Sequence, residues 1–346
     1  MPSPRELFST AVWNQPQTLE TAATEIASSI ASASIAPWRA GETVAIISMG
    51  ASSHSANALV AALTANGVRS VNITASDLYN AREGFEPGDH YVLVSESGRS
   101  PEPIEVARRL APGRRIAVTN YSGSPLAEVS DTVISYGGIP DSPVYTAGYN
   151  ATLMAYSALV RAAGLPGASI DEAAMPTLVQ QTLDRFGAEA ESLAAHFDGV
   201  ESVDFVGMGY SYTSAAQGAL VFREALRLPT APYETYQYLH GPMECSKPGT
   251  GLLLFGDGRG LGVVRSQAEA GVKVLVVSAA GAAGIEALAH DNVRTLALPE
   301  GADGFARVIA EAIAIHVVTE AIAKRRGITI EDFLYHQDDT KLDEAA

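Results

Sequence analysis

A strand, a small-residue turn and a helix occur twice in this chain, and that repetition limits the fold more than any other feature. Apolar Thr43-Val44-Ala45-Ile46-Ile47-Ser48 runs into Met49-Gly50-Ala51-Ser52. Val203-Asp204-Phe205-Val206-Gly207 runs into Met208-Gly209-Tyr210-Ser211. Met-Gly-x-Ser thus recurs at an offset of 159 residues (208 − 49), and Ser214-Ala215 falls where Ser55-Ala56 fell. Next, Leu93-Val94 precedes Ser95-Glu96-Ser97-Gly98-Arg99-Ser100, and Leu253-Leu254 precedes Phe255-Gly256-Asp257-Gly258-Arg259-Gly260. Gly98-Arg99 matches Gly258-Arg259 at an offset of 160 (258 − 98). A third strand follows in each half, Ile116–Thr119 and Val274–Val277. Short, wholly apolar strands alternating with crossover helices imply parallel sheets buried on both faces. The expected architecture is α/β, with two doubly wound parallel-sheet, three-layer αβα domains in tandem. Gly164-Leu165-Pro166-Gly167 breaks the chain, and a helix is expected from about Ile170 to His196. The domains are therefore placed at 1–195 and 196–346.

The two copies differ in the second turn. In the first half, strand Tyr91–Val94 leads through the turn to Pro101-Glu102-Pro103, where apolar Ile104, Val106, Ala107 and Leu110 mark a helix. Ser95, Ser97 and Ser100 thus stand where helix N–H groups are unpaired and the dipole favours an anion. In the second half these positions are Phe255, Asp257 and Gly260. Phenylalanine donates nothing and aspartate repels an anion. The expected phosphate site is therefore in the first half alone.

Bulk properties exclude several classes. The net charge of −16 argues against nucleic acid and anionic membranes as partners. The longest apolar runs, such as Leu252–Phe255, are too short to span a bilayer, and no signal-peptide h-region follows Arg5-Glu6. The single cysteine, Cys245, rules out an internal disulfide and fits a reducing cytoplasm. No histidine pairs with another at helical spacing or joins a Cys/Asp cluster, so neither a metal nor another cofactor is expected.

With these residues in view, the chain resembles the double sugar isomerase (SIS) domain proteins over nearly its whole length. It is similar to the isomerase half of glutamine:fructose-6-phosphate aminotransferase and to bacterial relatives that act on amino-sugar phosphates. The resemblance rests on Asn14-Gln15-Pro16, Met49–Ser52, Ser95–Ser100, Gly218-Ala219-Leu220-Val221-Phe222-Arg223-Glu224 and His240-Gly241-Pro242. It implies that Ser95, Ser97 and Ser100 hold a sugar phosphate, with the backbone of Glu96. It also implies Ser52 and Thr146 as substrate contacts. Glu224 matches the family's enolisation glutamate. His240 matches its ring-opening histidine, which dimeric relatives take from the neighbouring subunit. Lys341 is the candidate for the lysine of the C-terminal tail that closes the site. The chain departs from the family at Ala51, Gly148, Gln217, Val221 and Leu239, which stand for a threonine, a lysine, a glutamate and two further lysines. It has no counterpart of the glutaminase domain, so glutamine-driven amide transfer is not expected.

The chemistry is coherent from the residues upward. Glu224 sits in a helix of alanine, leucine and phenylalanine, where desolvation brings a carboxylate towards the basicity that proton transfer needs. Gly241-Pro242 puts His240 at a helix end or loop, where a neutral imidazole takes and returns a proton. The expected function is a phosphosugar aldose–ketose isomerase working through an enediol or enolamine. With an amino sugar, the same shuttle gives a deaminase. The alternatives are a non-catalytic phosphosugar sensor and a fructosamine-phosphate deglycase. The expected partners are a small phosphosugar and a second copy of the chain.

Overall fold

The structure, a computed structural model, describes residues 5–279, 284, 288–335 and 340–342. His336 and Asp339 lie outside the described residues. The chain forms two compact units: Met1–Leu7, Asn14–Pro176 and Leu334–Ala346 make the first, and Phe8–Trp13 with Thr177–Phe333 the second.

The first unit is entered through α1 (Phe8–Ser32), whose residues Phe8–Trp13 count with the second. It then alternates β1 (Thr43–Ser48), α2 (Gly50–Ala65), β2 (Arg69–Thr74), α3 (Ala75–Tyr79), β3 (His90–Val94), α4 (Pro101–Arg109), β4 (Arg115–Thr119), α5 (Pro125–Glu128), β5 (Thr132–Ser135) and α6 (Ala147–Ala162). The strands are parallel, in the order β2-β1-β3-β4-β5. Ala45, Ile47, Tyr91, Leu93 and Ala117 share one core with Ile104 and Val106 of α4 and with Leu110 just beyond its end. Each such aliphatic side chain contributes about 1.5–3 kcal/mol when fully buried.

The second unit contains α7 (Met175–Gly187, from Thr177 on), α8 (Ala190–His196), β6 (Ser202–Gly207), α9 (Tyr210–Leu226), β7 (Thr230–Glu234), α10 (Thr235–Leu239), β8 (Thr250–Phe255), α11 (Val264–Glu269), β9 (Lys273–Ser278), β10 (Val293–Ala297) and α12 (Gly304–Arg326). Its strand order, β10-β9-β8-β6-β7, is the same doubly wound order read from the other edge. The repeat extends to the backbone. Gly50 and Gly209 open α2 and α9 at φ +54° and +58°, and Gly98 and Gly258 sit in the second turns at φ +64° and +57°. Glycine adopts this left-handed conformation at little cost.

Three details differ from the sequence expectation. Each sheet has five strands. The outer ones are mixed in polarity, as in β2, whose residues are all exposed or half-buried. The helix expected over 170–196 is two helices, because Gly187 ends α7. A methyl there would stand 2.6 Å from the Trp13 ring, and glycine is a poor helix former. The compact units divide after Pro176, whereas the sequence placed the boundary at 195. α8 packs with the second unit through α12, and Arg325 of α12 pairs with Glu191 at 3.0 Å. Among the described residues, no helix is long and apolar enough to cross a membrane.

Candidate functional site

In a sheet of this order the connections from β1 and β3 leave in opposite directions, and a crevice opens beyond their carboxyl ends. β1 and β3 pair directly, with Ser48 opposite Val94. The turn carrying Ser52 and the turn Ser95–Ser100 are therefore neighbours at the carboxyl edge. Ser52 lies in the first turn of α2, half-buried, and its carbonyl accepts from Ser55 Oγ at 2.7 Å. In the serine turn, Ser95 Oγ lies 3.2 Å from Ser100 Oγ, and Ser97 Oγ accepts from the Arg99 N–H at 3.3 Å. Ser100 is the N-cap of α4, but its side chain caps no N–H, so its hydroxyl is not consumed by the helix. The turn is braced from β4: the Asn120 N–H donates to the Glu96 carbonyl at 2.8 Å, and Thr119 Oγ1 donates to it at 3.2 Å.

A cluster of acids lies beside this turn. Asp141 is buried and accepts from Thr146 Oγ1 (2.6 Å) and from the N–H groups of Ser142, Thr146 and Gly148. It thereby caps α6, yet burial raises its carboxyl to about 6. Burial raises Glu96 to about 7, the neighbouring Asp141 adds to this, and hydrogen bonds from Asn120 and Tyr145 oppose it. Asn120 Nδ2 stands 2.9 Å from Glu96 Oε1. Lys341 Nζ donates to the Tyr145 hydroxyl at 3.1 Å. Desolvation lowers the Lys341 ammonium from its usual range, and Glu96 pulls it back. The tail is tied to the turn itself: the Leu342 N–H donates to the Arg99 carbonyl at 2.9 Å, and Arg99 Nε donates to the Leu342 carbonyl at 2.8 Å.

In the second unit, Glu224 lies on α9 and is raised to about 7 by burial, with no charged group opposing the shift among the described residues. His240 is exposed at the C-cap of α10, where its N–H donates to the Gln237 carbonyl at 3.1 Å. The turn equivalent to Ser95–Ser100 holds its own anion. Asp257 accepts from the Ala279 N–H at 2.9 Å, from Ser278 Oγ and from Arg307 NH1 at 2.5 Å. Burial raises its carboxyl, but these hydrogen bonds outweigh burial and hold it below the usual range. Arg307 is also paired with buried Glu311 at 2.8 Å.

No family model matches the chain. It is similar to glutamine–fructose-6-phosphate aminotransferase (isomerizing) of Pyrobaculum aerophilum, with 24% identity over 255 residues, 71% of this chain. The chain spans 40% of that relative's length. The C-terminal domain of glucosamine-fructose-6-phosphate aminotransferase from Francisella tularensis superposes with a TM-score of 0.79 at 18% identity, covering 92% of this chain and 96% of that one. The chain has the tandem SIS fold. A glucosamine-6-phosphate deaminase from Thermotoga maritima shares that fold, with a TM-score of 0.72 at 16% identity over 96% of this chain and 99% of that one.

Within the first SIS unit the structure brings Glu96, Thr146 and Lys341 around one acid cluster, beside Ser95, Ser97 and Ser100. Thr146 is fully buried and donates its proton to Asp141, which leaves only a lone pair on its hydroxyl. Glu224 and His240 belong to the second SIS unit. Sequence reasoning missed Asp141, Asn120 and Tyr145. Asn120 directly follows the third strand, where a turn residue of each half was due, and that position was the available signal. Asp141 carried none, because its role depends on four donors that only the folded loop assembles.

Proposed function

We propose that the chain is a phosphosugar isomerase whose substrate phosphate docks on Ser95, Ser97, Ser100 and Ser52, with the backbone of Glu96 and with Thr146 nearby. The observation that carries this reading is the state of Glu224: a desolvated carboxyl, raised to about 7, with no cation paired to it among the described residues. A structural glutamate is held by a partner, whereas a base must be free to take a proton and have a basicity near the working pH. His240, supplied by the second subunit of a cytoplasmic homodimer, opens the sugar ring by moving a proton between the ring oxygen and the anomeric hydroxyl. Glu224 then takes a proton from one carbon and returns it to its neighbour through an enediol, or through an enolamine where nitrogen is attached. Lys341 closes the site, which the reciprocal pairing of Leu342 with Arg99 supports.

A panel of hexose, hexosamine and pentose phosphates tests the proposal. Isomer formation identifies an isomerase, and ammonia release identifies a deaminase. Release of a free amine from a fructosamine phosphate identifies a deglycase. Binding without any conversion would replace the enzyme with a sensor.

A further inference from the structure

Strand β6 buries a carboxyl that the proposed reaction does not use. Asp204 is 9% exposed, in a strand whose neighbouring residues Val203, Phe205 and Val206 are buried and apolar. Burial raises its carboxyl to about 6, and a hydrogen bond from the Tyr238 hydroxyl opposes that shift. The other titratable groups around this pair are Tyr233 of β7 and the Cys245 thiol, and among the described residues no cation acts on Asp204. A carboxylate so placed costs stability at neutral pH, so packing does not account for it. Its bonding does. Tyr238 of α10 is fully buried, and its hydroxyl donates to Asp204 Oδ2 at 3.3 Å and lies 2.9 Å from Ser246 Oγ. A phenol has one proton, so with that proton directed at Asp204 it accepts from the Ser246 hydroxyl. The chain Ser246–Tyr238–Asp204 thus ties two points of the backbone, eight residues apart, to one position in the sheet. His240 lies between those points. Its own surroundings hold it weakly: α10 has five residues, Gly241 has φ +142°, and Pro242–Cys245 is a short 3-10 turn. So short a helix is not stable by itself. Leu239 and Met243 pack partly buried against the core, but apolar contact is non-directional and does not aim an exposed side chain.

We propose that Tyr238 is a positioning residue for His240: its hydroxyl, anchored on Asp204, holds Ser246 and so fixes the segment 239–246 from which the imidazole is presented. The inference rests on the phosphosugar reading above and deepens it. Ring opening needs the imidazole within hydrogen-bond reach of the atoms whose protons it moves, and a histidine on a loose segment loses that geometry. Tyr238 touches no substrate in this role and acts through the backbone on either side of His240. The buried carboxyl of Asp204 is the acceptor that keeps the phenol from turning away from Ser246.

The test compares wild type with Y238F, which deletes the hydroxyl and keeps the ring, and with S246A, which breaks the same chain from its other end. Amide hydrogen exchange over 239–246 is read alongside kcat and KM with the phosphosugar that the panel finds converted, fructose 6-phosphate and glucosamine 6-phosphate first. In both variants the amides of 239–246 should exchange about 5–10-fold faster. Turnover should fall about 10-fold in kcat while KM stays within about twofold. A merely structural tyrosine lowers Tm and leaves kcat per folded molecule unchanged. S246A leaves the buried ring in place, so it decides the matter should Y238F fail to fold. Wild-type kcat, or unaltered exchange over 239–246, in a folded variant overturns the proposal and leaves the enzyme reading standing. A wild-type protein that converts no phosphosugar overturns the enzyme reading and this proposal with it.

Discussion

Replacing Gly98 with alanine tests whether the shape of the serine turn depends on this one position. Gly98 has φ +64°, and a methyl there would overlap the Ser124 side chain and stand 2.9 Å from Thr119 Oγ1. Two costs add. A left-handed conformation costs a non-glycine residue about 1–2 kcal/mol, of which reduced freedom in the unfolded chain returns about 0.4–1. Overpacking adds about 1–3 kcal/mol. Gly67 is the internal control, because it has φ +73° and nothing within 4 Å of an added methyl. Gly67→Ala should therefore cost about 1 kcal/mol, and Gly98→Ala about 2–4 kcal/mol. Urea unfolding of both variants against wild type measures the difference, and thermal melts should separate them by about 2–4 °C per kcal/mol. Because Ser95, Ser97 and Ser100 move with the turn, Gly98→Ala should also weaken phosphosugar binding, while Gly67→Ala should not. Equal destabilisation of the two variants would refute the packing argument. Wild-type affinity in a clearly destabilised Gly98→Ala would detach the turn from ligand binding.

Glu224→Gln should keep phosphosugar affinity and lose about 10²–10⁴-fold in turnover. Because the base must be ionised, wild-type kcat/KM should fall as pH drops through about 7. The raised carboxyl also favours the protonated folded state, a stabilisation complete below the unfolded value of 4.5 and lost as pH rises through about 7. Glu224→Gln should therefore gain stability over wild type between pH 5 and 8, and parallel pH–stability curves would contradict this. Mixing inactive Glu224→Gln with inactive His240→Ala subunits should restore partial activity, since one shared site is intact. Mixed dimers that form and stay inactive would rule out the shared site. Calorimetry should find one phosphosugar per chain, weakened by Ser97→Ala and unchanged by Asp257→Ser. Two sites per chain, or undiminished binding by Ser97→Ala, would overturn the phosphate assignment.

The sequence by itself determined the class of fold, its duplication and the difference between the two turns. Those properties follow from local patterns: wholly apolar strands, glycines that tolerate positive φ, and hydroxyls standing before a helix start. Glu224 was singled out by the resemblance, and only folding showed that its carboxyl is desolvated. The sequence did not reveal the outer strands, whose mixed polarity reflects an edge position. Nor did it reveal the boundary after Pro176, which depends on α8 packing with α12. Only the tertiary structure assembled the cluster of Glu96, Asn120, Asp141, Tyr145 and Lys341, whose members come from four separate segments of the chain. Only it showed that Asp257 of the second turn is paired with Arg307, a residue 50 positions away. Periodicity and turn chemistry act over a few residues and can be read along a chain. Desolvation, charge pairing and hydrogen-bond chains such as Ser246–Tyr238–Asp204 arise between distant segments, and folding alone brings those segments together.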